Sequence, residues 1–335
     1  MDIKLLEDLI ADNKKINKKL YSSASHKINY DKKIIREIKK KKLDNFRGLN
    51  SGVGTGYGDN LIYDIRNEYN FKGRMASMLL NLPILKKIYE DQLKITSKHI
   101  RLFLKKQSDL YKENERVNYL LNKYNFNNTT EFGCIQKFKK NNKELSVKYL
   151  RQASHINYLE KLIDLKKVKS YFEIGGGFGS NLHFLLMNFP NIKKVVYLDV
   201  VPNIFVSTEY LKNFFKDHVI DYKKTKSLKK ITFSQNNNLE ILCIAPWQIE
   251  NLNIEIDHFH SADTFVHMES QMIKNYLKYL FTFKPKSLSI VNHISSGKTQ
   301  VKDNEINSFF DDPLDISKYN QIDGAEYSYL TKNFY

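Results

Sequence analysis

The chain has 335 residues, a formal net charge of +17 and two cysteines. That length exceeds what one hydrophobic core usually spans and predicts two domains, while the wide separation of Cys134 and Cys243 excludes a disulfide framework or a cysteine-rich zinc site and favours a reducing compartment. No apolar run approaches membrane-spanning length and Met1 to Leu20 lacks a signal-peptide core, so a soluble, cytoplasmic protein is expected.

From Asp2 to Leu43, apolar positions such as Leu6, Leu9, Ile34 and Ile38 recur at helical spacing and end in the run Lys39 to Lys42, predicting short charged helices. Residues 45–60 carry five of the chain's thirteen glycines and predict an irregular loop. Arg47 and Asn50 in it are candidate substrate contacts, against the alternative of a plain linker. A helical pattern resumes from Pro83 to about Tyr124, with its aromatic residues read as core. Residues 1–150 hold 32 basic against 17 acidic side chains, whereas residues 151–335 hold 22 against 20. The excess could attract a polyanion, a nucleotide-linked sugar or an anionic membrane face, or reflect codon drift in an AT-rich genome. Only seven of the 54 basic residues are Arg, which counts against base-specific nucleic-acid reading.

A helix from Ser146 to Leu165 carries His155 and Tyr158, readable either as acceptor contacts or as packing. Beyond it strand and helix alternate. Strands are predicted near Tyr171–Ile174, Val195–Asp199, Leu239–Ala245, Asp257–His260 and Ser287–His293. Helices are predicted near Ser180–Asn188, Ile204–Phe215 and Glu269–Phe281. This alternation predicts an α/β fold, a parallel sheet with helices on both faces, preceded by a mostly helical segment. The expected division is a helical substrate or cap domain over residues 1–145 and a cofactor-binding domain over residues 146–335.

The first strand ends in Glu173-Ile-Gly-Gly-Gly-Phe-Gly179, and the second ends at Asp199. Gly175, Gly176, Gly177 and Gly179 let backbone amides approach a ligand, and Asp199, about twenty residues on, suits two ribose hydroxyls. A dinucleotide turn of the form G-x-G-x-x-G would need glycine at Ser180. A carboxylate two residues before the first glycine would repel a pyrophosphate but attract the ammonium of S-adenosylmethionine (SAM).

On these residues the chain resembles the class I SAM-dependent methyltransferases. With Asn203 to Leu211, Ala245-Pro-Trp-Gln248 and Ile256 to Met268 it resembles more narrowly the sugar O-methyltransferases of bacterial surface-polysaccharide gene clusters. The resemblance implies a Rossmann-like sheet in which Glu173 holds the methionine ammonium. Gly175 to Gly179 would run beneath it, Asp199 would take the ribose, and Val200 and Gln248 would meet the adenine. Ser261 is a further candidate contact, and Trp247 either stacks on adenine or plugs an interface. The implied reaction is methyl transfer from SAM to a hydroxyl of a capsule or lipopolysaccharide sugar or its nucleotide-sugar precursor, releasing S-adenosylhomocysteine.

Removing the hydroxyl proton calls for a base, for which histidine is best matched. His267 just after the fourth strand, His260 on it and His293 at the end of the fifth are the candidates, in that order of preference, whereas His258 alternates in direction with Phe259 and is read as packing under a helix. No metal is expected, although Asp257, Asp263 and Glu269 are the carboxylates that could hold magnesium. An RNA or small-molecule methyltransferase, or a non-catalytic SAM- or nucleotide-binding protein, is the competing reading. Monomer and homo-oligomer both stay open.

Overall fold

The computed structural model describes residues 1–22, 28–43, 46–47, 71–133, 137–294, 301–322 and 324–334. The helices before the sheet are α1 (Ile3–Asn13), α2 (Lys18–Tyr21), α3 (Ile28–Lys41), α4 (Phe71–Leu79), α5 (Pro83–Glu113) and α6 (Glu115–Lys123). A small hairpin, β1 (Phe138–Lys140) and β2 (Lys143–Leu145), leads into α7 (Val147–Leu159). There follow β3 (Ser170–Ile174), α8 (Ser180–Asn188), β4 (Lys194–Leu198), α9 (Asn203–Phe215), β5 (Val219–Ile220), α10 (Tyr222–Thr225) and β6 (Glu240–Ile244). The chain then forms β7 (His258–Ala262), α11 (Ser270–Thr282), β8 (Ser287–His293), α12 (Asp303–Asn307), β9 (Asp315–Asn320) and β10 (Glu326–Asn333).

Eight strands make one sheet in the order β5-β6-β4-β3-β7-β8-β10-β9. Strand β10 runs antiparallel to both its neighbours, and the remaining pairs are parallel. The expected Rossmann-like α/β sheet is therefore present, with strands and helices close to their predicted positions. The differences are the hairpin β1–β2, the short β5 inside the lysine-rich connection, α4, and the C-terminal pair β9–β10. The helix starting near Ser146 stops at Leu159.

The period-2 rule accounts for both faces. Tyr171, Val195, Tyr197, Ile241 and Cys243 join one apolar cluster with residues of α7, α8 and α9. Their neighbours Phe172, Ile174, Val196, Leu198, Leu242 and Ile244 join a second with residues of α11. On the first face a buried polar knot ties three helices together: His183 Nδ1 of α8 lies 2.6 Å from the Tyr149 hydroxyl of α7 and 3.0 Å from the Tyr210 hydroxyl of α9. Burial pushes the His183 pKa down to about 3, so the ring is neutral glue at neutral pH.

The N-terminal helices share this packing. Leu5, Leu6 and Leu9 of α1, Ile38 of α3 and Leu120 of α6 are buried in the cluster of the first face. Asp2 caps α1 by accepting from the Leu5 amide at 3.1 Å. Lys223 and Lys226 pair with Asp2 and Asp8 at 2.8 and 2.7 Å, and the Tyr222 hydroxyl donates to Asp12 at 2.9 Å. Such partly exposed pairs set the seating of α1 more than they stabilise it. Among the described residues no helix is long and apolar enough to cross a membrane.

Candidate functional site

Strand β3 lies in the middle of the sheet, and the chain builds outward from it first to one side, through β4, and later to the other, through β7. Ligands of open α/β sheets bind at the carboxyl ends of the strands where the direction of winding switches. A cavity of about 650 Å³ opens there, lined by the ends of β3, β4, β7 and β8, by the start of β10 and by α7. Ser22, Asp31 and Ile34 add a wall from the N-terminal segment, so that segment helps enclose the site.

Glu173 stands at its floor. The residue is 0 % exposed; one carboxylate oxygen accepts from Asn181 Nδ2 at 3.0 Å, and the other, Oε2, is buried with no hydrogen-bond partner. Burial raises its pKa to about 8, opposed by the Asn181 hydrogen bond and by Lys148 and reinforced by Asp199. A native fold rarely leaves a buried carboxylate oxygen unpartnered, and this one belongs to a residue that lines a cavity. The turn beyond it is shaped around that carboxylate. A Cβ on Gly176 would stand 2.6 Å from Glu173 Oε1 and 2.7 Å from the Tyr197 ring, while Gly175 has φ +76° and would meet Thr264 Oγ1 at 2.1 Å. Neither position admits a side chain without displacing a neighbour.

Asp199 follows the last residue of β4 and is buried. Its oxygens accept from the Gly177 amide at 2.9 Å, the Val200 amide at 2.7 Å and Asn203 Nδ2 at 3.3 Å. Glu173, Gly175, Gly176, Gly177, Asp199 and Val200 all line the cavity. Gly179 does not; with φ +91° it starts α8 and packs against Leu211.

Helix α7 builds another part of the cavity, and of its four polar lining residues only His155 was a candidate from the sequence. Lys148, Arg151, Gln152 and His155 fall at i, i+3, i+4 and i+7 on α7 and all line it. Burial and the neighbouring Arg151 pull the Lys148 pKa down, while Asp263 and Glu173 act the other way. Tyr276 of α11 and Tyr327 and Tyr329 of β10 complete the wall. Asp263, at the end of β7, adopts φ +51°, unusual for a residue with a Cβ, and takes the His293 amide at 2.8 Å.

Three of the expected histidines are here. In register, His260 lies beside Glu173 on the same face of the sheet, with Nδ1 2.7 Å from the Ser289 hydroxyl. Burial lowers its pKa to about 4. His267 sits on a single 3-10 turn (Phe265–His267) and also lines the cavity. His155 does too, its Nδ1 2.6 Å from the Tyr329 hydroxyl and its pKa lowered by burial to about 3. His258 has one serine hydroxyl at each ring nitrogen, Ser287 at 2.8 Å and Ser289 at 2.9 Å, which agrees with a packing role.

Other expected site residues lie elsewhere, each for a physical reason. His293 packs edge-on against Tyr327 at 4.9 Å, and Tyr327 forms the wall in its place. Ser261 pairs with Ile174 and so points to the opposite face of the sheet. Gln248 is spent on its own turn and on α10, accepting from the Ala245 amide at 2.9 Å and donating to Thr225 Oγ1 at 3.0 Å. Trp247 packs edge-on against Tyr222 at 5.8 Å and is outside the cavity lining, which favours the plug over the stacking partner. Tyr158 stacks on Tyr319 at 4.3 Å and is not part of the cavity lining. Asp257 binds the Lys169 and Ser170 amides at the opposite end of the strands, far from any shared ligand with Asp263. Asn50 lies outside the described residues.

Arg47 is 2 % exposed and donates to the Thr129 carbonyl at 3.0 Å, the Phe132 carbonyl at 3.4 Å and the Ser146 hydroxyl at 3.1 Å, with its guanidinium over Tyr149 and Phe178. It is a structural clasp, not a substrate contact. Arg47→Ala is expected to cost about 3 kcal/mol in a denaturant titration, because it orphans buried acceptors. Affinity for S-adenosylhomocysteine should stay within a factor of about two. A second substitution separates folding from binding in the opposite sense. Gly176→Ala should leave the unfolding midpoint within a few degrees but weaken S-adenosylhomocysteine binding about tenfold or more, as calorimetry would read it, because the new methyl must push Glu173 or Tyr197 aside.

No family model matches the chain, and no curated protein matches it in sequence. Solved structures do resemble it in fold. One is a magnesium protoporphyrin IX methyltransferase from Synechocystis PCC 6803 with bound SAM, at 12% identity and TM-score 0.38 over 55% of this chain and 78% of that one. A mitomycin 7-O-methyltransferase matches at 11% identity and TM-score 0.36, over 56% of this chain and 53% of its own. An O-methyltransferase family protein from Burkholderia thailandensis matches at 9% identity and TM-score 0.37, over 55% and 57%. This chain spans little more than half the length of the last two.

Proposed function

We propose that the protein is a SAM-dependent O-methyltransferase whose acceptor is a sugar hydroxyl of a bacterial surface glycan or of its nucleotide-sugar precursor. The observation that carries the cofactor reading is the unpartnered, buried Oε2 of Glu173, a residue of the cavity lining. A primary ammonium supplies both a charge and donors to such an oxygen, whereas a diphosphate would add repulsion. Lys148 and Arg151 line the same cavity and suit the carboxylate of the same amino-acid group. Asp199 suits the ribose, and the Tyr276 ring and Val200 offer apolar surface beside it for a base.

Bound SAM would supply a methyl already activated by its positive sulfur, so the chain itself need only align the acceptor, exclude water and take one proton. The acceptor end is walled by Arg151, His155, Asp263, His267 and Tyr327, a mixture of hydrogen-bonding groups and aromatic surface that suits a polyhydroxylated ring. His267 is assigned the hydroxyl proton, which it receives as the new C–O bond forms and the methyl leaves sulfur. His260, held neutral by burial, positions the floor between Glu173 and Ser289.

The test has two parts. Calorimetry should give binding of S-adenosylhomocysteine and none of NADH; the reverse would overturn the cofactor reading. Mass spectrometry of the surface glycan should show one CH₂ fewer per repeat when the gene is deleted, and an unchanged glycan would overturn the acceptor.

A further inference from the structure

Of the fifteen exposed large hydrophobic side chains among the described residues, nine fall between Met75 and Leu102, on α4, α5 and the turn joining them. The run Met78-Leu-Leu-Asn-Leu-Pro-Ile-Leu85 contains one polar side chain, Asn81, and occupies the turn itself. Met78 is 77 % exposed, Ile84 76 % and Leu82 53 %. A hydrogen bond from the Leu82 amide to the Leu79 carbonyl at 3.1 Å closes the turn, so an ordered apolar corner is presented to solvent. Soluble monomers rarely leave an apolar patch of this density uncovered.

The surroundings of the corner identify what covers it. Lys86 and Lys87, the next two residues, are exposed, and so are Lys94 and Lys98 further along α5. Residues 71–113 contain ten Lys and Arg against four Asp and Glu. On α5, Ile84, Ile88, Ile95 and Leu102 follow one exposed stripe, and Lys87, Lys94 and Lys98 follow another beside it. Two copies meeting through this segment would bring equal basic excesses together. An anionic lipid surface offers an apolar layer for the corner and negative charge for its collar. Since no described helix can cross a bilayer, the segment would lie on the membrane and not span it.

We propose that α4, α5 and their turn dock the protein on anionic membrane surfaces, with Met78 to Leu85 in the boundary between headgroups and acyl chains and Lys86 and Lys87 on lipid phosphates. This inference stands apart from the reading of the cavity. The test is co-sedimentation of the full chain with vesicles of phosphatidylcholine alone and of phosphatidylcholine with phosphatidylglycerol, at low and high salt. Binding should be confined to the anionic vesicles and fall steeply with salt. The triple variant Met78→Asp, Leu82→Asp, Ile84→Asp and the double variant Lys86→Glu, Lys87→Glu should each weaken it about tenfold or more, with circular dichroism and unfolding midpoint unchanged because all five side chains are exposed. Equal binding to neutral vesicles, or none to either kind, would overturn the proposal. So would a dimer in sedimentation velocity that the triple variant abolishes while the parent ignores vesicles, since the corner would then belong to a second copy.

Discussion

Glu173→Gln is expected to weaken S-adenosylhomocysteine binding at pH 8 by about a hundredfold or more, the cost of losing a desolvated charge-assisted contact. The same change should stabilise the ligand-free protein. Glu173 titrates near 8 in the fold against about 4.5 in the unfolded chain. Between those values the folded state holds a proton that the unfolded state has lost, so stability falls as pH rises through that window. Glutamine removes this penalty, and the gain in unfolding midpoint of the variant over the parent should be negligible near pH 4 and largest at pH 8. Ligand affinity has the opposite dependence. The ammonium requires the ionised carboxylate, so parent affinity should rise by about tenfold per pH unit up to about pH 8, whereas the variant should show no such rise. Melting curves across the range, paired with calorimetry at the same pH values, check both halves. A variant no more stable than the parent at pH 8 would mean that Glu173 is partnered in solution, and the cofactor assignment would lose its main support.

Much of the cavity floor was legible in the sequence because it depends on local geometry. The glycine turn, Glu173 and Asp199 belong to two consecutive strand ends, and parallel neighbours in register must bring those ends together. The acceptor end depends on pairing across long separations. Strand β10 enters the sheet between β8 and β9, and only that insertion carries Tyr327 and Tyr329 to the cavity. A signal was present in the alternation Tyr327, Tyr329, Thr331 after Gly324, but nothing local says which strand they join. The polar stripe of Lys148, Arg151, Gln152 and His155 was readable by helical spacing. Tyr158 continues that stripe one turn beyond His155, but it is taken up by Tyr319 and Tyr329 and lies outside the cavity lining. Gln248 and Ser261 illustrate the limit from the other side. Sequence position brought both near a strand end, but a single peptide step decides which face of the sheet Ser261 joins, and Gln248 lies on a 3-10 turn whose hydrogen bonds take up its amide.

The reaction itself should depend most on His267. His267→Ala is expected to lower kcat by about two to four orders of magnitude, with S-adenosylhomocysteine affinity unchanged and partial rescue by added imidazole. His260→Ala should behave differently. A proton placed on His260 would be costly, because burial has already driven its pKa to about 4. The ring serves instead as a spacer beside Glu173, fixed by the Ser289 hydroxyl. Its loss should therefore appear mainly as weaker cofactor binding, with little response to imidazole, and Ser289→Ala should reproduce part of that effect. His293→Ala, one step behind Tyr327, should change kcat less than about threefold. If instead His260→Ala abolished turnover at full cofactor occupancy while His267→Ala remained active, the base would lie on β7 and not on the turn that follows it. A loss under about tenfold from both would point to alignment alone, with the hydroxyl proton released to water.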